Sequence, residues 1–298
     1  MQNDKLKSYL LLHLIVFIAG FTAIIGEIIT VGSATLVWYR MLIAAILMYA
    51  YIKFMKIDLR ISKKTFLQFS LAGIIIALHW ITFFEAINQS NISITLAMFS
   101  TGAFFGSFIE PIVYKRKLIP YEILLGVFVI LGIYLIMKDG IEEINGVILG
   151  ILSAFLSSLF AVINGKFVAT HTASVISFYE FIAGVVFITM YLACINGGFN
   201  TEFFNLSQSD WIWLFVLASV CTAFAFIVSV AIMKDISPYT VILSYNLEPI
   251  YGFILAVMFF PEKEIMSWTF YLGSGIILIT VILNSILKSS KKLNQKSS

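Results

Sequence analysis

The sequence predicts an all-α integral membrane protein whose ten transmembrane helices form two inverted five-helix repeats. Three observations carry this expectation. Hydrophobic residues make up 60% of the chain and charged residues 12%, far from the balance of a soluble domain. Apolar runs of about twenty residues, enough to cross a hydrocarbon core of about 30 Å, recur along the whole length. A motif in the second run also returns in the seventh with its charge reversed, Val37-Trp38-Tyr39-Arg40-Met41 against Ser177-Phe178-Tyr179-Glu180-Phe181.

The runs fall at residues 9–27, 33–54, 65–87, 92–113, 120–138, 145–166, 173–195, 211–233, 238–260 and 266–287. The first follows Lys5 and Lys7 as a signal peptide would, yet its apolar stretch is too long and lacks a small-residue cleavage site, so it reads as a retained helix. Ile119-Pro120 and Ser237-Pro238 put proline at a first helical turn, where its missing N–H costs nothing, and Ser237 is a natural N-cap. The longest polar connections, Lys56 to Lys64 and Gly197 to Asp210, are too short to fold as domains.

Orientation follows from the basic residues, because positively charged loops stay cytoplasmic. With the N-terminus inside, sixteen of the nineteen lysines and arginines lie in inner segments: Lys5 and Lys7, the Lys53–Lys64 loop, Lys115-Arg116-Lys117, Lys166, Lys234 and the tail from Lys288. Only Lys138 and Lys263 lie outside, and Arg40 lies within a span. The expected localisation is the cell (inner) membrane, multi-pass, with both termini cytoplasmic. Leu124-Leu125-Gly126-Val127 and Tyr271-Leu272-Gly273-Ser274 occupy matching points of the fifth and tenth runs, 147 residues apart. The first repeat then covers residues 1–140 and the second 141–298 with its basic tail. Five spans per half is an odd number, so the halves insert in opposite senses, a common transporter plan with substrate bound near the midplane.

Several function classes are excluded. No basic cluster on a soluble surface is available to track phosphates, so the chain has no nucleic-acid partner despite its net charge of +3. Cys194 and Cys221 lie in separate runs and read as apolar filler; no disulfide framework, cofactor or metal site is expected. No G-x-x-x-x-G-K-[ST] loop is present to hold a nucleotide. Proteolysis within the membrane needs paired aspartates in spans or a serine and histidine in reach; the aspartates here are confined to loops, so the chain is not expected to be an enzyme.

Ionisable groups inside hydrocarbon are costly, which makes them the first candidates for a binding site. By the rise per residue, Arg40 lies about 9 Å from the outer face with His79 near the same level, Glu180 about 10 Å from the inner face, and Glu248 near the centre. Arg40 reads either as an attractor for an anionic or carboxylate-bearing solute or as a structural counter-ion, and Glu248 is its expected partner. Pro249 should kink its helix and free the carbonyl of Tyr245 to face a polar cavity beside Asn246 and Glu248. Glu180 is either a proton-carrying acid or a structural acid paired with Asn164 or a tyrosine. His79 has no second histidine at i+4 and reads as packing or as a cavity group. Trp38, Tyr39, Trp80, Tyr179 and Tyr245 read either as stacking surfaces for a planar solute or, in a chain with 15% aromatics, as packing. Gly102-Ala103-Phe104-Phe105-Gly106 marks a close helix contact.

Beside this reading stands a family resemblance. The pattern Ile236-Ser237-Pro238-Tyr239-Thr240, Leu247-Glu248-Pro249-Ile250, Glu262 and a Gly273 helix resembles the EamA module of the drug/metabolite transporter superfamily. Trp38 to Ala45 is similar to the arginine-plus-alanine segment of that module's second helix, and Trp80 to Ile87 to its third. Two departures stand out: Thr101-Gly102 where a proline is common in the fourth helix, and Lys115 where a glutamate follows it. The resemblance implies a ten-helix carrier of small metabolites, often an exporter. The expected partners are therefore a small-molecule substrate, amino-acid-like or otherwise small and polar or aromatic, the lipid bilayer, and protons as a candidate coupling ion. A scaffold or receptor without transport is the alternative.

Overall fold

The computed structural model describes residues 2–115, 117, 120–138, 143–194, 198–236, 241 and 244–294. Among them the regular structure is entirely helical. In lipid, backbone polar groups have no water to bind, so only a helix satisfies them within one segment.

The helices are α1 (Gln2–Ile28), α2 (Ser33–Phe54), α3 (Lys63–Gln89), α4 (Ile92–Phe99), α5 (Gly102–Tyr114), α6 (Pro120–Met137), α7 (Ile144–Phe167), α8 (Ala173–Cys194), the short α9 (Thr201–Phe204), α10 (Gln208–Ala218), α11 (Ala225–Ile232), α12 (Glu248–Phe259) and α13 (Trp268–Asn294). Their starts follow local chemistry: Ser62, Asn91 and Ser207 each accept a backbone N–H as N-caps, and Ser207 forms a capping box with Asp210. Pro120 opens α6 as expected, whereas Ser237 and Pro238 lie outside the described residues. Among the described residues seven segments are long and apolar enough to cross a membrane, and Leu124–Met137, Glu248–Phe259 and Trp268–Thr280 are shorter apolar helices.

Three expected runs are not continuous α-helices. The fourth breaks between α4 and α5 at Ser100-Thr101, just before Gly102. The eighth carries a π-turn at Ser219–Phe224 between α10 and α11, an insertion that hydropathy does not register. In the ninth, a 3₁₀ turn at Tyr245–Leu247 leads into α12, and Pro249 sits in the first helical turn. The expected kink with a freed Tyr245 carbonyl is thereby corrected: that carbonyl accepts the Glu248 N–H, and Pro249 occupies a position that needs no donor. In the 147-residue register Pro249 answers to Gly102, so both halves interrupt the same helix at the same point by different chemistry.

Packing relates the halves by exchange. The fifth run lies on the tenth (α6 on α13), the second on the seventh (α2 on α8) and the fourth on the ninth (α4 on α12). The third run packs on the sixth and seventh, as the eighth packs on the first and second. Close approach is bought by small residues: a Cβ on Gly73 would stand 2.0 Å from the Glu180 carbonyl oxygen, and one on Gly273 would stand 2.5 Å from the Gly132 carbonyl oxygen. Gly102 sits against α7, where the Ser158 hydroxyl donates to its carbonyl at 2.6 Å.

Hydrogen bonds identify the two ends of the bundle. At the lysine-rich end Ser8 donates to Asp235 (2.9 Å), Tyr179 to the Leu59 carbonyl (2.8 Å) and Lys166 to the Val113 carbonyl (2.6 Å). At the other end the Thr30 N–H and hydroxyl donate to Asp210 (2.8 and 3.0 Å), and Ser33 donates to Glu85 (2.7 Å).

Candidate functional site

Between the halves lies a cavity of about 120 Å³, lined from both repeats by Thr22, Arg40, His79, Trp80, Phe83, Phe99, Ser158, Phe160, Asn164, Cys221, Phe226, Ser229, Tyr245 and Glu248 among others. Its lining runs on to Met233 and Val241 toward the lysine-rich end. Toward the other end, one helical turn beyond Arg40, Trp80 and Cys221, the buried apolar side chains Leu36, Phe84 and Leu217 belong with Leu214 to one core cluster. The volume is well below the roughly 300 Å³ at which drug-sized pockets begin, which suits a small solute.

Arg40 is 2% exposed and held on two sides. Its Nε donates to Thr222 Oγ1 at 2.6 Å, while the Thr222 hydroxyl donates to the Leu217 carbonyl, also at 2.6 Å. The π-turn widens the helix so that Leu217 O, five residues back, is the acceptor, and this turns Thr222 toward α2. π-turns of this kind are frequent at functional sites. The guanidinium carbon lies 4.0 Å from the Trp80 ring centroid, a buried cation–π contact. Nη1 is buried and has no hydrogen-bond partner among the described residues.

Glu248 is 5% exposed and begins α12, where a carboxylate also complements the helix dipole. Its charge and that of Arg40 act on each other across the cavity, but among the described residues no ion pair joins them. The expected Arg40–Glu248 contact is therefore a shared cavity, with Thr222 as the group that Arg40 touches. The charges stay apart because Thr222 and Trp80 fix the guanidinium from α2's other neighbours.

His79 is built into the helix contact: Nδ1 lies 3.0 Å from the Ser153 carbonyl and 2.8 Å from its hydroxyl, and the ring stacks on Phe99 at 5.6 Å. Asn164 Nδ2 donates to Glu180 at 3.4 Å. Asn164 lines the cavity, whereas Glu180, 0% exposed, stands behind it with Oε1 unpartnered among the described residues. Trp38 and Tyr179 do not line it: Trp38 Nε1 donates to Thr189 at 2.8 Å, and the Tyr179 hydroxyl reaches Leu59. Tyr245 lines it, and the Asn246 side chain lies outside the described residues. Among the described residues no cluster of three or more His, Cys, Asp or Glu is arranged to hold a metal.

Sequence reasoning missed Thr222, Ser229, Phe99, Phe160 and Phe226, and took Cys221 for filler although it lines the cavity. One signal was available for part of this: Cys221-Thr222 is a polar pair in the middle of an otherwise apolar run. The phenylalanines carried none in a chain where aromatics make up 15%.

Helices long enough to span a bilayer, two exchanged halves and, between them, a largely apolar cavity that carries Arg40, His79 and Glu248 are the features of a multi-pass membrane protein of the transporter class. The EamA-like transporter family model matches residues 6–138 and 144–286, one copy per half, and the chain belongs to that family. The chain is also similar to a solved crystal structure of a protein at 14% identity, over 95% of this chain and 98% of the other, with a TM-score of 0.69. That likeness speaks for the fold. Among curated proteins there is no match.

Proposed function

We propose that this protein is a ten-helix carrier that exports small metabolites across the cell (inner) membrane by alternating access around the central cavity. In this reading residues 1–140 and 141–298 are the inverted repeats, and both termini are cytoplasmic. The single observation that carries the substrate side is Arg40: a buried cation, oriented by Thr222 and Trp80, with Nη1 left unpartnered in a cavity that Glu248 faces.

A buried donor without a partner is costly, and a carboxylate on the solute supplies the missing acceptor. Glu248 offers the complementary site for an amino group, and Trp80, Phe99, Phe160 and Phe226 surround the remaining body with apolar rings. Amino-acid-like or other small polar or aromatic solutes fit this pattern. Protons are the proposed coupling ion in a chain with no nucleotide-binding loop.

The test is flux in reconstituted vesicles loaded with a panel of labelled amino acids, small organic acids and small amines. Flux of a carboxylate-bearing solute that disappears in Arg40→Ala and falls in Glu248→Gln is the expected result. A folded protein that moves none of the panel overturns the carrier reading, and flux indifferent to an imposed pH gradient overturns proton coupling.

A further inference from the structure

Glu264 lies in the connection between α12 and α13 and is 3% exposed. Its carboxylate reaches into the other repeat, where it accepts the backbone N–H groups of Ile92 (3.2 Å) and Ser93 (3.0 Å) at the start of α4. Those donors have no partner inside their own helix, and the positive end of the helix dipole favours a carboxylate there. Next to it Lys263 pairs with Glu27 at the end of α1 at 2.7 Å. Asp210 binds Thr30 at this same end. All three contacts tie the second half to the first on the face opposite the lysine-rich loops, beyond the apolar cluster of Leu36, Phe84 and Leu217.

The 147-residue register that pairs Gly126 with Gly273 pairs Lys117 with Glu264. Lys117 is exposed. A lysine has only donors, so it cannot accept backbone N–H groups. The two repeats therefore carry unequal clasps at equivalent places, one able to hold a helix start and one not.

We infer that Glu264 is a latch that shuts the bundle at the end opposite the lysine-rich loops. Lys117 supplies no equal at its equivalent place, and the lysine-rich end is joined by the separate hydrogen bonds Ser8–Asp235, Lys166–Val113 and Tyr179–Leu59, so the protein rests with its cavity facing the lysine-rich side. The inference rests on the alternating-access reading. Its test reads cavity access without any substrate, so a failure of transport and a failure of the latch remain distinct.

Cys221 is the reporter, since it lines the cavity, and Cys194→Ser removes the other thiol. The full chain is reconstituted in vesicles whose orientation is scored by protease access to the lysine-rich tail. A membrane-impermeant, sulfonate-bearing methanethiosulfonate is then added from either side. Cys221 is expected to react from the lysine-rich side and to be protected from the other. Glu264→Ala is expected to raise reaction from the protected side by roughly tenfold or more, the shift that follows from losing hydrogen bonds to a charged group. Glu264→Gln, which keeps one acceptor oxygen, is expected to fall between, and it serves as the test if the alanine variant does not fold. Lys117→Glu is expected to slow reaction from the lysine-rich side. Unchanged two-sided rates in a Glu264 variant with parental helical content and thermal unfolding overturn the proposal. So does a parent protein whose Cys221 reacts only from the side opposite the lysine-rich loops.

Discussion

Arg40 and Glu180 occupy the same place in the twin motif, one after Tyr39 and the other after Tyr179, and their surroundings differ in kind. Arg40 stands at the cavity wall with its Nε satisfied, its face on Trp80 and one nitrogen free. Glu180 is walled in at the α3–α8 crossing, where Gly73 lies against its own backbone carbonyl, and reaches the cavity only through Asn164. The repeat thus reproduces a buried charge but not its use. Arg40 lines the cavity, and Glu180 stands behind its wall.

The contrast can be broken at several points. The largest effect is expected at the crossing that seats Glu180: Gly73→Ala forces a methyl group to 2.0 Å from the carbonyl oxygen. Backbone has to move, so the cost should be about 3 kcal/mol or more, visible as a lower thermal unfolding temperature in detergent or as no folded protein. Arg40→Ala should leave the protein folded enough to reconstitute while abolishing flux of carboxylate-bearing solutes. Full flux in that variant would make Arg40 a structural counter-ion like its twin.

Thr222→Val leaves the Arg40 Nε without its acceptor, a loss of about 1–3 kcal/mol that should lower the unfolding temperature and weaken carboxylate flux together, with Thr222→Ser recovering both. Glu180→Gln should be mild, within about 1 kcal/mol. The new amide supplies a donor for Asn164 Oδ1, which has none at present, so unfolding should be unchanged or raised and flux retained. Flux lost in this variant with folding intact would instead assign Glu180 a direct part in transport.

The smallest effect concerns pH at the latch. Burial pushes the Glu264 carboxyl above its ordinary range, partly offset by the N–H groups of Ser93 and Ile92, while the neighbouring Glu27 pushes the same way and Lys263 faces Glu27. The shut end therefore binds a proton more tightly than an open end with a hydrated carboxyl. Falling pH through the window between the two values favours the shut end, and rising pH above it weakens the latch. The ratio of Cys221 reaction rates from the two sides, in which the thiol's own titration cancels, should shift toward the protected side as pH rises and lose that dependence in Glu264→Gln.

Much of the fold was legible because the bilayer imposes a strong rule: a segment must be apolar for about twenty residues and helical throughout. The starts at Ser33, Ile92 and Ala173 lie where the runs begin. Thr101-Gly102 in the place of a proline was legible only as a departure from the family pattern, and the interruption of the fourth helix there came from the structure. The π-turn was not legible either, since one extra residue in a turn leaves hydropathy unchanged. Arg40, His79, Trp80, Asn164, Tyr245 and Glu248 were singled out by being polar or aromatic where such groups are expensive, and they line one cavity. Trp38 and Tyr179 were singled out by the same reasoning and face elsewhere, Trp38 bonded to Thr189 on α8 and Tyr179 to the Leu59 carbonyl in the connection between α2 and α3.

The sequence by itself determined where most helices lie, the repeat and which charges fall inside apolar runs, because hydration cost depends on residue type and run length; Asp210 and Glu264, outside the runs, are buried only by the packing. Only the tertiary structure decided which way each buried group turns. In lipid both the outward and the inward face of a helix are apolar, so the pattern of hydrophobic residues does not say which face meets the cavity. That choice belongs to the packing: to Thr222 on its π-turn holding Arg40, to Gly73 drawing Glu180 into a helix crossing, and to Glu264 meeting a helix start 172 residues earlier in the chain.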